Sequence, residues 1–410
     1  MIALLARGLA LLAAVAIVTA CAGADASTGN AIIDTLPGGI IEVKNPRPSG
    51  WSDSSAAGAW KLVEVQRIAP GEGEPGELVE PWGLAVDAAG RVYVADRKPA
   101  VIKVFDRQGR FIRSIGREGE GPGEFRVSFM AVRGPHLVVH DPQVARTNVF
   151  DTSGAFVKSW HSSCCYWSEI AVDDSGRAVI PTWIQDKSKT KTGPSRNRTY
   201  VLFALDGTAA DTISLDEGPE GKTWTLKEGS GSKERRMMIM GVPLTPQMQS
   251  ALHPGGGFVR GWTGEYRIVR TLRGRDTALV FGRDWTPEVL TDSMREAVVA
   301  RQVANVAKEW KEQDVRDAFR VADVPSTLPA FSSLAVAPDG TVWVNLSDDD
   351  SELPSRFDVF DAQGVWRGQV QSPVLIRNWG ARWFGNDEIV AAIEDEDGRP
   401  AVVRLKIQRP

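Results

Sequence analysis

Histidine and cysteine are scarce in this chain of 410 residues, which has 4 histidines and 3 cysteines. They do not fall into the spacing of a metal-ligand set, and Gly-x-Ser-x-Gly, His-Glu-x-x-His and Walker patterns are absent as well. These absences exclude the common zinc, serine-hydrolase and P-loop signatures. The formal net charge of -4 provides no basic surface, so nucleic acid is not an expected partner.

Long apolar runs are also missing, except at the N-terminus. After Arg7, residues 8–18 (GLALLAAVAIV) form one apolar stretch of about a dozen residues. A membrane-spanning helix needs roughly 20 residues. Residues 1–20 are therefore predicted to be a signal peptide rather than a transmembrane span.

The signal peptide ends in VTA followed by Cys21, which resembles a bacterial lipobox. That resemblance implies that Cys21 is acylated and anchors the chain in the cell envelope by lipid alone. The alternative is an ordinary signal peptide with a chance cysteine. Ala22, rather than aspartate, follows the cysteine. This resembles the pattern of lipoproteins that are sorted to the outer membrane, on the side that faces the periplasm.

Residues 21–58 are rich in Ala, Gly, Ser and Asp, and Pro46, Pro48 and Gly50 interrupt their apolar content. This composition predicts a flexible tether. Removal of residues 22–55 is therefore expected to be harmless.

Self-similarity is the strongest signal in the rest of the chain. Residues 68–78 (IAPGEGEPGEL) return as residues 115–125 (IGREGEGPGEF), each time before a short apolar strand. One turn formula recurs as DAAGR at 87–91, DDSGR at 173–177 and PDGT at 338–341. Another recurs as VFDRQGRF at 104–111, VFDTSGAF at 149–156 and VFDAQGVW at 359–366. Two tight hairpins in each unit predict four antiparallel strands, the blade of a propeller.

Six inner strands are expected to begin near Trp82, Phe129, Glu169, Gln249, Ser332 and Arg382. The last unit supplies only three strands, whereas residues 61–68 form a strand without partners. The sequence therefore predicts an all-β, six-bladed propeller over residues 59–410, in which the N-terminal strand closes the ring and removes exposed edges.

The segments PWGLAVD (81–87), GRVYVAD (90–96) and IKVFD (102–106) resemble the NHL repeat. The resemblance implies the propeller fold over most of residues 60–410. It leaves function open, since such propellers serve as binding platforms, lactonases and lyases.

Residues 287–320 do not fit a blade. Pro287 lies in a first turn after Thr286, and Val299, Val303 and Trp310 recur at helical spacing. We expect an inserted amphipathic helix that packs on one face of the ring, with a partner-binding helix as the alternative. Residues 217–247 form a second, irregular insertion.

Propellers bind ligands at the mouth of the central channel, where inner strands begin and second strands end. This geometry selects the candidate ligand-binding residues Trp82, Asp96, His140, Glu169, Trp183, Trp262, Asn345 and Arg382. No catalytic residue is assigned.

The gluconolactonase-like propellers hold a divalent cation in the channel with Glu, Asn and Asp. Resemblance to them implies that Glu169, Asn345 and Asp96 are the residues that would supply the oxygen ligands here. The sequence therefore favours a non-catalytic platform that binds an unidentified protein or small molecule and needs no cofactor. The alternative is a metal-dependent hydrolase or a lyase.

The loop at residues 162–167 (SSCCYW) is expected to contribute, with Trp82, Trp183 and Trp262, to an aromatic rim. Cys164 and Cys165 are adjacent, and in an oxidising compartment they could form a vicinal disulfide or remain two thiols that fill space.

Overall fold

The computed structural model describes residues 31–46, 60–162, 168–182, 197–219, 221–228, 236–273, 276–347, 353–377 and 381–409. Six sheets follow one another along the chain as the blades of a six-bladed propeller, which confirms the predicted fold. No helix among these residues is long and apolar enough to span a bilayer.

The strands of the first half comprise three N-terminal strands, three blades and a pair of short connecting strands. The N-terminal strands are β1 (Ile32–Leu36), β2 (Ile40–Asn45) and β3 (Lys61–Ile68). Blade 1 contains β4 (Pro81–Val86), β5 (Val92–Asp96), β6 (Val101–Phe105) and β7 (Phe111–Ile115), and is followed by β8 (Arg117–Glu118) and β9 (Glu124–Phe125). Blade 2 contains β10 (Phe129–Arg133), β11 (His136–Asp141), β12 (Arg146–Asp151) and β13 (Phe156–His161). Blade 3 contains β14 (Ala171–Val172), β15 (Ala178–Thr182), β16 (Asn197–Phe203) and β17 (Ala209–Asp216).

The second half contains two insertions and three blades. The hairpin β18 (Thr223–Glu228) and β19 (Arg236–Gly241) precedes blade 4, which contains β20 (Met248–Leu252), β21 (Phe258–Trp262), β22 (Ile268–Thr271) and β23 (Thr277–Arg283). Helices α1 (Asp292–Val306) and α2 (Glu312–Ala318) and a 3-10 turn (Val321–Asp323) follow. Blade 5 contains β24 (Ser333–Val336), β25 (Val342–Asn345), β26 (Arg356–Phe360) and β27 (Trp366–Gln371), and blade 6 contains β28 (Arg382–Phe384), β29 (Glu388–Glu394) and β30 (Pro400–Gln408).

The repeated turn formula explains why each blade folds locally. In blade 1 the Asp87 carboxylate accepts hydrogen bonds from the amides of Ala89 (3.0 Å) and Arg91 (2.9 Å). Gly90 has a φ of 76°, a left-handed conformation that glycine adopts without steric cost. The turn thus sets the register in which Val86 lies opposite Val92.

The N-terminal strand closes the ring as the sequence predicts. β3 lies antiparallel to β30, with Leu62 opposite Ile407 and Ile68 opposite Val402. Blade 6 therefore takes its outermost strand from the start of the propeller and its other three from the C-terminus.

Residues 32–45 form structure where the sequence suggested a tether. β1 and β2 make a hairpin, and β2 extends blade 4 by pairing parallel to β23, so that its sheet has six strands. Val43 is buried in the core that blades 4 and 5 share. The apolar residues of this segment pair as a hairpin, which the tether prediction overlooked.

The two insertions pack together as one small module. Trp224 of the hairpin stacks on Phe319 with ring centroids 4.5 Å apart. Val299 and Val303 are buried in the same cluster, as their spacing predicts. The insertion at 287–320 contains two helices rather than one, and the cap of the first is Thr291, whose hydroxyl accepts from the Met294 amide (3.2 Å).

Candidate functional site

A cavity of about 820 Å³ occupies the centre of the ring. The inner strand of every blade contributes to its wall, with Trp82, Phe129, Ala171, Gln249, Ser333 and Arg382 as one residue from each. We call the end where inner strands begin the mouth, and the opposite end the base. The cavity is of the size of ordinary ligand pockets.

Arg382 and Glu169 face each other at the mouth. Arg382 begins β28 of blade 6, and Glu169 precedes β14 of blade 3, on the opposite side of a six-membered ring. The Arg382 Nε and Glu169 Oε1 atoms are 3.7 Å apart. The pair therefore crosses the channel.

The two charges have different environments. The side chain of Arg382 is 7% exposed, whereas that of Glu169 is 59% exposed. Arg382 Nη1 donates to Ser333 Oγ (3.2 Å) and to the Arg377 carbonyl oxygen (3.3 Å). Burial lowers the pKa of Arg382 below its ordinary value, and the nearby Glu169 opposes that shift. The mouth thus contains a desolvated cation paired with a largely hydrated carboxylate.

Trp82 also lines the cavity. Its ring lies edge-on to Phe129, with centroids 6.4 Å apart at 73°. The Arg97 guanidinium carbon lies 5.3 Å from the centre of the indole. Trp82, Glu169 and Arg382 are the predicted site residues that the fold brings to the channel.

Asp96 lies beneath the rim, in a position where it holds a loop. Its carboxylate accepts from the amides of Val79 (3.0 Å) and Glu80 (2.6 Å) and from Lys103 Nζ (2.7 Å). The Asp96 side chain is buried, and it does not line the cavity. Asp141 of blade 2 does the same for Arg126 (2.6 Å) and Val127 (3.2 Å), so this is a repeated structural device.

His140 is buried within blade 2 and does not reach the channel. Its Nδ1 lies 3.1 Å from Thr147 Oγ1 and 3.2 Å from Ser162 Oγ. Burial lowers the pKa of His140 to about 4. The imidazole is therefore a neutral core group.

Two further candidates are also absent from the cavity wall. Asn345 is buried at the end of β25. Trp262 lies against Gly264, where an added Cβ would come within 2.6 Å of the indole Nε1. Position at a strand end thus does not by itself place a side chain in the channel.

Trp183, Cys164, Cys165 and Cys21 lie outside the described residues. The vicinal disulfide, the lipid attachment and the contribution of Trp183 to an aromatic rim therefore stay predictions, whereas of the two described tryptophans of that rim only Trp82 lines the cavity.

The three residues considered for a divalent cation do not converge. Glu169 lines the channel, but Asp96 is engaged with two amides and Lys103, and Asn345 is absent from the wall. Over the residues that the structure describes, no three His, Cys, Asp or Glu side chains gather as a metal site.

Sequence reasoning missed a polar wall between blades 3 and 4. Arg198 and Tyr200 of β16 line the cavity beside Glu169. Arg198 Nε pairs with Glu217 Oε1 at 2.6 Å, and burial raises the pKa of Tyr200. These residues lie at the start of the third strand of blade 3, which also reaches the mouth, but only inner and second strands were considered.

A family model described as a six-bladed β-propeller matches residues 81–129. Protein brain tumor of Drosophila melanogaster is 26% identical over 110 residues, which cover 26% of this chain and 11% of that protein. Protein lin-41 of Caenorhabditis elegans is 54% identical over 37 residues, which cover 9% of this chain and 3% of that protein. The chain therefore spans only a small part of the curated relatives it matches, and the likeness concerns their NHL-type repeats.

Solved structures of similar shape were also found. A Bacteroides fragilis protein described as exported has a TM-score of 0.47 and 12% identity, covering 90% of this chain and 100% of that chain. An aldose sugar dehydrogenase from Streptomyces coelicolor has a TM-score of 0.42 and 12% identity, covering 86% and 99%. A virginiamycin B lyase from Staphylococcus aureus has a TM-score of 0.42 and 10% identity, covering 85% and 99%.

Proposed function

We propose that this six-bladed propeller with NHL-like repeats is a non-catalytic binding protein that holds a small ligand in its central channel. The observation that carries the proposal is the environment of Arg382, a guanidinium that is 7% exposed and faces a cavity of about 820 Å³. A buried arginine is costly unless it is matched by hydrogen-bond acceptors. A ligand carboxylate or a similar oxygen-rich anion would supply them.

The present partners of Arg382 are two neutral oxygens, the Phe384 ring and one carboxylate. The serine hydroxyl and the carbonyl oxygen accept at 3.2 and 3.3 Å, the ring centre lies 5.8 Å away and the carboxylate is 3.7 Å away, so a ligand carboxylate would add shorter charge-assisted hydrogen bonds. Trp82 lines the same cavity. The site therefore favours an anion attached to an organic group.

The position of Asp96 argues against the hydrolase alternative in the form that the sequence suggested. A channel cation bound by Glu169, Asn345 and Asp96 would require the Asp96 carboxylate to abandon two backbone amides and Lys103. A binding role requires no such rearrangement.

Thermal melting of the soluble domain with succinate, glucuronate and neutral glucose tests the binding proposal. A ligand that binds only the native state raises the free energy of unfolding, by about 2.7 kcal/mol at a ligand concentration of a hundred times Kd, and so raises the melting temperature. We expect the carboxylates to raise it in the wild type and not in Arg382→Gln. Arg110→Gln, an exposed arginine on a blade 1 turn, is the matched control. Equal shifts in all three proteins, or no shift in any, would contradict the proposal.

We further propose that the protein works in the cell envelope, anchored through a lipid on Cys21. Cys21→Ser should leave an unprocessed or mislocalised precursor. Membrane fractionation and labelling with a radioactive fatty acid measure this directly, and normal lipid labelling of the variant would disprove the anchor without affecting the channel proposal.

A further inference from the structure

The cavity is not confined to the channel. Leu202 on β16 and Ile213 on β17 line it, and these strands are the third and fourth of blade 3. Inner strands alone cannot supply these side chains, so the cavity has a radial branch between blades 3 and 4. We call this branch the blade 3–4 cleft; its apolar walls are Val179, Leu202 and Ile213 of blade 3 and Leu252, Phe258 and Leu272 of blade 4.

Strand pairing explains why these side chains share a wall. Val179 lies opposite Leu202, and Tyr200 lies opposite Ile213, so all four project from the same face of blade 3. In blade 4, Leu252 lies opposite Phe258. The two faces meet where the ring of Tyr200 lies 4.8 Å from that of Phe258.

The buried core at this interface is small. Among the described residues, its buried cluster consists only of Val179, Tyr200, Leu202, Leu215 and Phe258, the smallest in the ring. The interface of blades 1 and 2 buries a much larger cluster that includes Tyr93, Ile102 and Phe150. The inner strand of blade 3 has only two residues, Ala171–Val172. The small core at this interface, and the cavity lining by its apolar side chains, indicate space for part of a ligand between the two blades.

The cleft changes in polarity from mouth to base. Near the mouth, Arg198 lines the cleft and pairs with Glu217. Farther from the mouth the walls include the apolar side chains of Val179, Leu202 and Ile213, and the turns at the base add charged residues such as Arg177 and Arg273. The cleft therefore presents a cation near the mouth and apolar side chains in its middle.

We infer that the blade 3–4 cleft binds the apolar part of an amphiphilic organic anion whose charged end lies in the channel near Arg382. The charged end rests on the proposed function, whereas the apolar end rests on the cleft alone. The ligand class is thus an organic acid that carries an aromatic or branched aliphatic group, rather than a free sugar acid.

Anilinonaphthalene sulfonate is a suitable probe, since it joins an aromatic system to an anion and becomes fluorescent in apolar surroundings. The wild-type protein should bind one dye per molecule. Ile213→Trp should fill the cleft and raise the dye Kd by about tenfold or more. Ile112→Trp, on the outer strand β7 of blade 1, is the matched control and should leave binding unchanged. Circular dichroism melting establishes that each variant is folded, and Leu252→Phe replaces Ile213→Trp if the latter is not.

Arg382→Gln separates this inference from the channel proposal. If the cleft variant and Arg382→Gln both weaken dye binding, one ligand occupies both regions. If only the cleft variant weakens it, the cleft is supported and the role of Arg382 is contradicted. Dye binding that is absent in the wild type, or unchanged in a folded cleft variant, overturns the cleft inference even where Arg382→Gln retains its effect on succinate binding.

Discussion

Arg382 of blade 6 and Glu169 of blade 3 meet across the mouth of the channel, with 3.7 Å between Nε and Oε1. The ring brings together two residues that are far apart in sequence and on opposite blades. Since the cation is buried and the anion is largely hydrated, Glu169 can move into water while Arg382 cannot. A ligand carboxylate would therefore replace Glu169 and leave Arg382 in place.

Replacement of Arg382 separates a binding role from a structural one. Arg382→Met preserves much of the side-chain volume and removes a desolvated charge, and it leaves Glu169 in contact with water rather than buried without a counter-ion. We expect the free energy of unfolding in urea to change by less than about 1 kcal/mol while the melting shift with succinate disappears. A loss of 3 kcal/mol or more would identify Arg382 as a structural residue instead.

Asp96 should behave as a structural residue. Asp96→Asn leaves Lys103 buried without its counter-ion, and breaking such a pair costs about 3 to 5 kcal/mol. Lys103→Met in the same chain should restore a large part of that loss. Urea unfolding of both single variants and the double variant measures the coupling. Additive effects would show that the pair is not coupled, and a stable Asp96→Asn that fails to bind succinate would return Asp96 to the site.

His140 predicts a dependence of stability on pH. Burial lowers the pKa of His140 to about 4, below its ordinary 6.5, so the unfolded chain takes up a proton at a higher pH than the folded one. The stability that the neutral, buried imidazole contributes is present above pH 6.5 and is lost as the pH falls toward 4. The loss amounts to about 2 kcal/mol at pH 5. His140→Gln should therefore lose less stability than the wild type between pH 7 and pH 5 in urea unfolding. Parallel losses in the two proteins would exclude the buried histidine as a cause.

Asn45 should anchor the N-terminal hairpin to two blades. Its Nδ2 donates to the carbonyl oxygens of Gly282 (2.8 Å) and Gly364 (3.0 Å), and its Oδ1 accepts from the Trp366 amide (2.9 Å). Asn45→Ala leaves that buried amide unpaired and should cost about 2 to 3 kcal/mol in urea unfolding.

Lys44→Ala is the matched control for Asn45. Its side chain is exposed and pairs with Glu42 at 3.0 Å and with Asp34 at 3.3 Å, so the expected loss is much smaller than for Asn45→Ala. Equal effects of the two substitutions would show that the hairpin adds little to the stability of the ring. Because Val43 and Asn45 are buried against blades 4 and 5, deletion of residues 22–55 is expected to destabilise the protein, in contrast to the prediction from sequence.

The fold could be predicted from sequence because most blades carry the same short turn motifs. The Asp-x-x-Gly turns fix hairpins without reference to the rest of the chain, and the unpaired strand at residues 61–68 had only one edge left to fill. The hairpin at 32–45 was not accessible, since β2 pairs with β23 more than two hundred residues later and shows no repeat.

The site was predicted less well because the register of a strand decides where its side chains point. Asp96 and Asp141 end second strands as expected, yet both turn into the structure to hold loops. Arg382 and Glu169 do line the cavity, because residues in or beside an inner strand border the channel. The blade 3–4 cleft depends on how well two sheets pack, which no local pattern encodes.

The pairing of the N-terminal strands also determines when the protein can finish folding. Ile41 lies opposite Leu279, and Lys61 lies opposite Gln408. A chain synthesised from its N-terminus exposes β2 and β3 first, but β23 is made late and β30 last. Contacts of such long range form slowly and leave strand edges open to wrong pairing in the interval. A product truncated before β30 would leave β3 unpaired, so the ring can close only after the whole chain has been synthesised.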